Sequence, residues 1–449
     1  MVLALDPVPP IGGHPLATFF VQIGVLLLLA TLLGRLAVRL KLPAIVGELL
    51  TGIVLGPSLL GPTLPQLSGW LFPKAAEQAH LLDAFGQIGV VLLVAVTGLQ
   101  LDTRLVRRRA ATAARVSLPG FLIPLALGIG AGCLLPATLL MKGSDRTVFA
   151  AFLGITMCVS AIPVIAKTLM DLGLLHRNVG QLILISGTVD DVLGWVGLSV
   201  VTAMATTGLH AAGLALTVGC LLLFVAAALL IGRPLVRRVM RSTVKSGEPG
   251  LTLSASVVVV VLFSATTHAL GFEAVFGALV AGILIRGGGK DVLTRLAPLR
   301  TFVMAVLAPV FFATAGLRMD LTALSDPTVL GTAVVLLLIA IAGKFAGAFI
   351  GAWSSGLSRW EAVALGAGMN ARGVVEVVVA MVGLRLGVLS TAMYTVVVLI
   401  AVVTSLMGPP ILRGAMGRLE VTADEQLRRA ELDSTLGGDG REPVEQAPA

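Results

Sequence analysis

The chain has 449 residues, 57% hydrophobic and 12% charged, with a formal net charge of +8 and a mean hydropathy of +1.00. A soluble domain carries about 25% charged residues, so the composition excludes a soluble fold and points to a chain that crosses a bilayer many times. The apolar runs are roughly 18 to 27 residues long, not the ~10 alternating residues of a membrane strand, and hydrocarbon demands internal pairing of every backbone group, so the expected class is an all-α polytopic membrane protein.

Thirteen spans are predicted, at about 16–39, 43–61, 82–103, 114–136, 147–169, 179–204, 209–232, 251–270, 272–286, 299–318, 327–353, 360–383 and 389–412. Met1–His14 has no basic leader and no small-residue cleavage site follows Leu16–Leu33, so the first span reads as a retained helix rather than a signal peptide. The second span carries Glu48 with Gly52 and Gly56. The fifth is interrupted near Ser160-Ala-Ile-Pro163. The sixth holds two adjacent aspartates, Asp190 and Asp191, in the middle of an apolar run. The ninth is short and carries Glu273 with Gly277 and Gly282, in the opposite sense to the second. The eleventh places Lys344 within a stripe of Gly343, Gly347 and Gly351, which lets a neighbouring helix approach closely. The twelfth has Asn370-Ala-Arg-Gly373 at its centre and Glu376 one turn later. The polar stretch from Arg413 to Ala449 is expected to be a disordered cytoplasmic tail, so the division is a transmembrane domain over 1–412 and a tail over 413–449.

Loop charge orients the chain. With the N-terminus outside and the C-terminus in the cytoplasm, twenty lysines and arginines fall in cytoplasmic loops and five in outside loops. That is a strong positive-inside bias, and it accounts for the basic surplus without a nucleic-acid partner. The second to sixth spans (about 43–204) and the ninth to thirteenth (about 272–412) run in opposite senses, and each set contains one interrupted helix. Such a pairing is the pattern of inverted repeats with a binding site near the midplane.

At about 1.5 Å per residue, Asp190 lies roughly 17 Å from its end of the membrane, Lys344 roughly 14 Å and Arg372 roughly 18 Å. Three spans thus place opposite charges at similar depth. A single carboxylate at the bilayer centre is unfavourable by at least ~2.5 kcal/mol, so such residues are paired or used. Neighbouring residues point ~100° apart on a helix, so Asp190 and Asp191 face different surroundings. The expectation is that Asp191 faces the transported ion and Asp190 lies nearer Lys344. Arg372 and Glu376, spaced i, i+4, read either as a structural pair holding the interrupted helix or as participants in the ion cycle. Ser160 beside the break and Thr188 one turn before Asp191 are candidate oxygen ligands for a hard cation, or else bond their own backbone.

With these residues named, the chain resembles the monovalent cation:proton antiporter-2 family, on the branch with plant cation/proton exchangers and their bacterial relatives. The stretches that carry the resemblance are GELLTGIVLGPSLLG (47–61), SAIPVIAKTLMDLGLL (160–175), TVDDVLGW (188–195), FFATAGLRMDL (311–321), GKFAGAFIGA (343–352) and MNARGVVEVVVAMVGLRLGVLS (369–390). The resemblance implies a sodium/proton antiporter fold: two inverted five-helix repeats, two crossed interrupted helices, a mobile core and a dimerisation domain, hence a homodimer. It assigns the acidic pair to Asp190 and Asp191, a lysine to Lys344 and a basic residue on the second crossed helix to Arg372. Many relatives have Asn where this chain has Asp190, and Glu where it has Gln100.

The expected function is therefore secondary antiport of Na⁺ or K⁺ against protons across the cell membrane, with Asp190 and Asp191 holding the transported cation. No resident cofactor is called for, and no Ser/His/Asp set, metal cluster or Gly-rich phosphate loop suggests an enzyme. Two alternatives stay open at this point: a gated potassium-efflux pathway without obligatory proton coupling, and a cation sensor that moves nothing.

Overall fold

The computed structural model describes residues 13–40, 42–73, 76–100, 110–141, 143–161, 164–165, 168–169, 172–174, 176–207 and 211–426. Pro163 of the expected interruption, Lys167 and the tail from 427 lie outside the described residues. Everything described is helix, turn or irregular chain, apart from one isolated bridge between Leu140 and Leu389.

The helices are α1 (Gly13–Arg39), α2 (Ala44–Leu55), α3 (Ala76–Gln100), α4 (Ala110–Leu134), α5 (Arg146–Cys158), α6 (Asn178–Thr207) and α7 (Ala211–Ala227). They continue as α8 (Arg233–Lys245), α9 (Pro249–Ala269), α10 (Ala274–Arg286), α11 (Ala297–Leu317), α12 (Pro327–Ser354), α13 (Arg359–Met369), α14 (Val374–Arg385) and α15 (Thr391–Met416). Ten helices among the described residues are long and apolar enough to cross a bilayer. The expected thirteen spans are therefore not thirteen continuous membrane-length helices. The fifth ends at Cys158 before an irregular stretch at 159–161, the ninth is the thirteen-residue α10, and the twelfth divides into α13 and α14 around residues 370–373.

One loop expected from charge alone is a helix. The basic stretch Arg233–Lys245 continues α7 through a π turn at Ala228–Gly232. Its arginines alternate with apolar residues at helical spacing, so Val236 and Met240 are buried while Arg233, Arg237, Arg238 and Arg241 stay exposed. The polar tail also begins in order. Residues 413–416 complete α15, and the chain from 417 to 426 turns back onto the bundle.

Packing sorts the helices into two groups. The first contains α1, α2, α3, α9, α10 and α11, with α8 against α9 and α10; the second contains α4, α5, α6, α12, α13, α14 and α15. Large apolar side chains cover the outside, among them Phe20, Leu28, Leu223, Leu230 and Trp353. A face of that kind suits lipid rather than water. Within each group, backbones approach too closely for a side chain. A Cβ on Gly52 of α2 would stand 2.0 Å from the Ala313 carbonyl of α11, and one on Gly282 of α10 would stand 2.2 Å from the Ala95 carbonyl of α3. The two crossings are matched: each uses a glycine four residues or more past the span's glutamate, and each meets a glycine on the facing helix, Gly316 and Gly98. The stripe Gly343, Gly347 and Gly351 of α12 lies against Pro124, Gly120 and Val116 of α4, as the small-residue spacing predicts.

Candidate functional site

The site forms where the two irregular stretches touch. Residues 159–161 follow α5 and residues 370–373 separate α13 from α14. The Ala161 N–H donates to the Ala371 carbonyl at 3.0 Å, and the Ser160 hydroxyl lies 2.8 Å from the Met369 carbonyl oxygen. A helix that stops inside an apolar bundle leaves orphan carbonyls. Here the partner break supplies the donors.

Arg372 is the largest of these donors. Its Nη1 donates to the Thr156 carbonyl at 2.7 Å and to Glu376 Oε1 at 3.0 Å, and its Nη2 donates to the Met157 carbonyl. Thr156 and Met157 sit in the last turn of α5, so a fixed cation meets the negative end of a half-helix. The Ser405 hydroxyl of α15 donates to the Arg372 carbonyl, which fastens the second break to the neighbouring helix. Both Arg372 and Glu376 are fully buried. The pair thus joins the end of α5 to the first turn of α14.

Lys344 reaches the same region from α12. Its Nζ lies 2.7 Å from Asp190 Oδ2, with both side chains fully buried. The Ser160 hydroxyl is 3.3 Å from the same oxygen. One hydroxyl proton serves one acceptor at a time, so Ser160 can turn from Met369 to Asp190 without moving its backbone. Asp190 Oδ1 has no hydrogen-bond partner among the described residues, and neither does Asn370 Oδ1. Oxygens of this kind suit a hard monovalent cation, which takes carboxylate, carbonyl and hydroxyl ligands.

Asp191 is fully buried next to Asp190 on α6. The fully buried charged side chains described in this region are Asp190, Asp191, Lys344, Arg372 and Glu376, three acids against two bases. Charges buried this deeply in an apolar bundle are paired or used.

The residues singled out in the sequence do not all converge. Asp190, Lys344 and Ser160 meet directly, and Arg372 with Glu376 stands at the adjoining break. Thr188 is only partly buried and donates to the Leu184 carbonyl of its own helix at 2.8 Å, the backbone alternative open in the sequence. Glu48 and Glu273 lie away from this cluster. Asn370 marks only a break in the sequence, yet it is fully buried beside the crossing with an unsatisfied oxygen among the described residues. Its signal was the polar amide within an apolar span; nothing in the spacing says where that amide points.

Residues 24–415 match the family described as sodium/hydrogen exchanger, transmembrane. The chain is 31% identical over 399 residues to the Na⁺/H⁺ antiporter NhaS4 of Synechocystis sp., covering 88% of this chain and 95% of that protein. It is 29% identical over 403 residues to the Na⁺/H⁺-K⁺ antiporter GerN of Bacillus cereus, covering 89% and 96%. Cation/H⁺ antiporter 18 of Arabidopsis thaliana is 31% identical over 402 residues, but this chain spans only 48% of its length. Among solved structures, the sodium proton antiporter MjNhaP1 from Methanocaldococcus jannaschii superimposes with a TM-score of 0.66 at 17% identity, over 90% of this chain and 99% of that one.

Proposed function

This chain belongs to the sodium/hydrogen exchanger family and is a cation/proton antiporter, and from that premise we propose how its buried charges carry out the exchange. Asp191 alternates between a proton and a monovalent cation, Na⁺ or K⁺, and the two exclude each other. Asp190 shares the site, with Lys344 paired to it in one state and released in another. Ser160, Asn370 and the freed carbonyls of the breaks complete the oxygen set around a dehydrated cation. Arg372 and Glu376 hold the crossed half-helices in register so that these oxygens converge.

The observation that carries this reading is the 2.7 Å contact between Lys344 and Asp190 at full burial, beside a second buried carboxylate on the same helix. A fixed internal cation next to two acids competes with a mobile one for the same charge. Access alternates as the group holding α5, α6 and α12–α15 rocks against the group holding α1–α3 and α9–α11. The matched glycine crossings, Gly52 on Gly316 and Gly282 on Gly98, support a reading of 43–204 and 272–412 as inverted repeats. The basic loops and the arginine face of α8 support a cytoplasmic location for that end, with the N-terminus outside. A homodimer in the cell membrane follows from the family resemblance.

The test is exchange in proteoliposomes. A preset proton gradient should dissipate when Na⁺ or K⁺ is added to the wild-type protein, and not when it is added to Asp191→Asn. Coupled exchange that survives intact in Asp191→Asn overturns the assignment. Potassium flux with no proton movement would favour the uncoupled efflux pathway instead.

A further inference from the structure

The basic loops mark one end of the bundle; Glu273 and Arg385 stand together at the other. Glu273 is the N-cap residue of α10 in the first helix group, and Arg385 lies in the last turn of α14 in the second. Arg385 Nη2 and Glu273 Oε2 are 3.0 Å apart, with the glutamate 12% and the arginine 36% exposed. This ion pair therefore ties the two groups together. Beside it Arg318 pairs with Asp83, but both of these belong to the first group. Other polar contacts at the same end also link the groups, the Leu321 N–H donating to the Ser58 hydroxyl at 3.0 Å among them. The Tyr394 hydroxyl of α15 donates to the Ala315 carbonyl of α11 at 2.7 Å, and the Asp320 N–H donates to the Thr395 hydroxyl at 3.0 Å.

Beneath the two ion pairs is a cavity of about 20 Å³ on the boundary between the groups. Gly86 and Gln87 of α3, Phe311 and Thr314 of α11, and Val378 and Met381 of α14 line it. That is room for about one water molecule. α14 runs from Glu376 at the site to Arg385 at the mouth, about 14 Å at 1.5 Å per residue. The cavity thus lies along a boundary that leads from the outer surface toward the buried charges, and it is narrow.

We propose that the Glu273–Arg385 ion pair is the outer latch of the exchange path, a link across the moving boundary that parts before a cation or proton reaches the site from outside. The inference rests on the antiport reading and the sidedness given above. A partly exposed pair is weak, because water screens it and two long side chains lose freedom in making it. Weakness suits a contact that breaks at every turnover: it biases the closed state by roughly 2- to 5-fold without trapping it. The Asp83–Arg318 pair stays within one group, so movement between the groups does not require it to break. When the latch parts, Arg385 leaves with α14 and Glu273 remains at the mouth, where its carboxylate faces incoming cations.

The test reads access rather than transport. A cysteine replaces Thr314 in the cavity (Thr314→Cys), with Cys133, Cys158 and Cys220 changed to alanine. Reconstituted protein is treated from the outer side with a membrane-impermeant thiol reagent. Labelling should be slow in this parent and roughly 2- to 5-fold faster with Glu273→Gln or Arg385→Gln. It should return to the parent rate in the charge swap Glu273→Arg/Arg385→Glu, which also shows that the fold tolerates the site. Asp83→Asn should change it little. Parent-rate labelling in both single variants, a swap that fails to restore the rate, or an equal acceleration by Asp83→Asn overturns the latch. Because labelling needs no ion flux, unchanged labelling alongside loss of exchange in Asp191→Asn sinks the latch alone. Accelerated labelling alongside normal exchange in Asp191→Asn sinks the site reading alone.

Discussion

Lys344 Nζ and Asp190 Oδ2 are 2.7 Å apart, and neither side chain has any exposed surface. Removing one charge from such a pair leaves the other buried without compensation, which typically destabilises by about 3–5 kcal/mol. Removing both need not. Lys344→Met should therefore lower the thermal unfolding temperature of the detergent-purified protein by several degrees, and Lys344→Met/Asp190→Asn should recover most of that loss. A double variant no more stable than the single one would show that the pair is not the dominant interaction of either residue.

Asn370 Oδ1 and the Ser160 hydroxyl are predicted cation ligands, so their loss should weaken cation binding more than folding. Asn370→Ala and Ser160→Ala should each raise the half-saturating cation concentration by about 3- to 10-fold, close to the ~1 kcal/mol of one polar contact, with the unfolding temperature nearly unchanged in Asn370→Ala and somewhat lowered in Ser160→Ala, which also strips the Met369 carbonyl of its donor. A normal cation dependence in both variants would remove them from the site.

Arg372 donates to the Thr156 and Met157 carbonyls at the end of α5 and to Glu376. A lysine keeps the charge but lacks the planar fork that reaches several oxygens at once. Arg372→Lys should therefore lose most exchange activity and several degrees of thermal stability together. A stable but inactive Arg372→Lys protein would instead argue for a direct part in the ion cycle.

The close crossings predict a position-dependent tolerance to a single methyl group. Gly52→Ala and Gly282→Ala place a Cβ within about 2.2 Å of a facing carbonyl, so the helices must separate, at roughly 1–3 kcal/mol or more. Gly24→Ala on α1 has nothing within 4 Å of the new Cβ and should be neutral or slightly stabilising. Thermal unfolding of the three variants separates close packing from mere helix propensity.

Glu425 ties the segment after α15 to the start of α6. It pairs with Arg177 at 3.1 Å and accepts from the Asn178 and Thr422 N–H groups. Partial burial alone would raise its carboxyl, but those two N–H groups and the Arg177 guanidinium outweigh it and hold the group below its ordinary value of 4.5. A lowered folded value means that the stabilisation is complete above pH 4.5 and is lost as the pH falls through that lowered value. The difference in unfolding temperature between wild type and Glu425→Gln should thus be constant above about pH 5 and shrink on acidification below it. A gap independent of pH would show that the carboxylate charge contributes nothing there.

Hydropathy and loop charge made the helical class, the span order and the two breaks legible, because those signals are local sums over twenty residues. They misjudged Arg233–Lys245, where a run of arginines read as a loop although the apolar residues between them recur at helical spacing. They carry no signal for the docking of residues 417–426, because the contact of Glu425 with Arg177 and Asn178 joins residues almost 250 positions apart.

Counting residues along helices of known rise was enough to expect Asp190, Lys344 and Arg372 near the middle of their spans, and all three are fully buried in the fold. It also placed opposite charges at matching depth on three spans. Which charge meets which is set by the packing of the helices. Rotation about a helix axis and the packing of one break on another set the azimuth of each side chain, and these depend on close glycine contacts such as Gly347 on Gly120. That is why Lys344 with Asp190 was an expectation, while Arg372 on the carbonyls of α5 and Glu273 reaching across to Arg385 appear only in the folded chain.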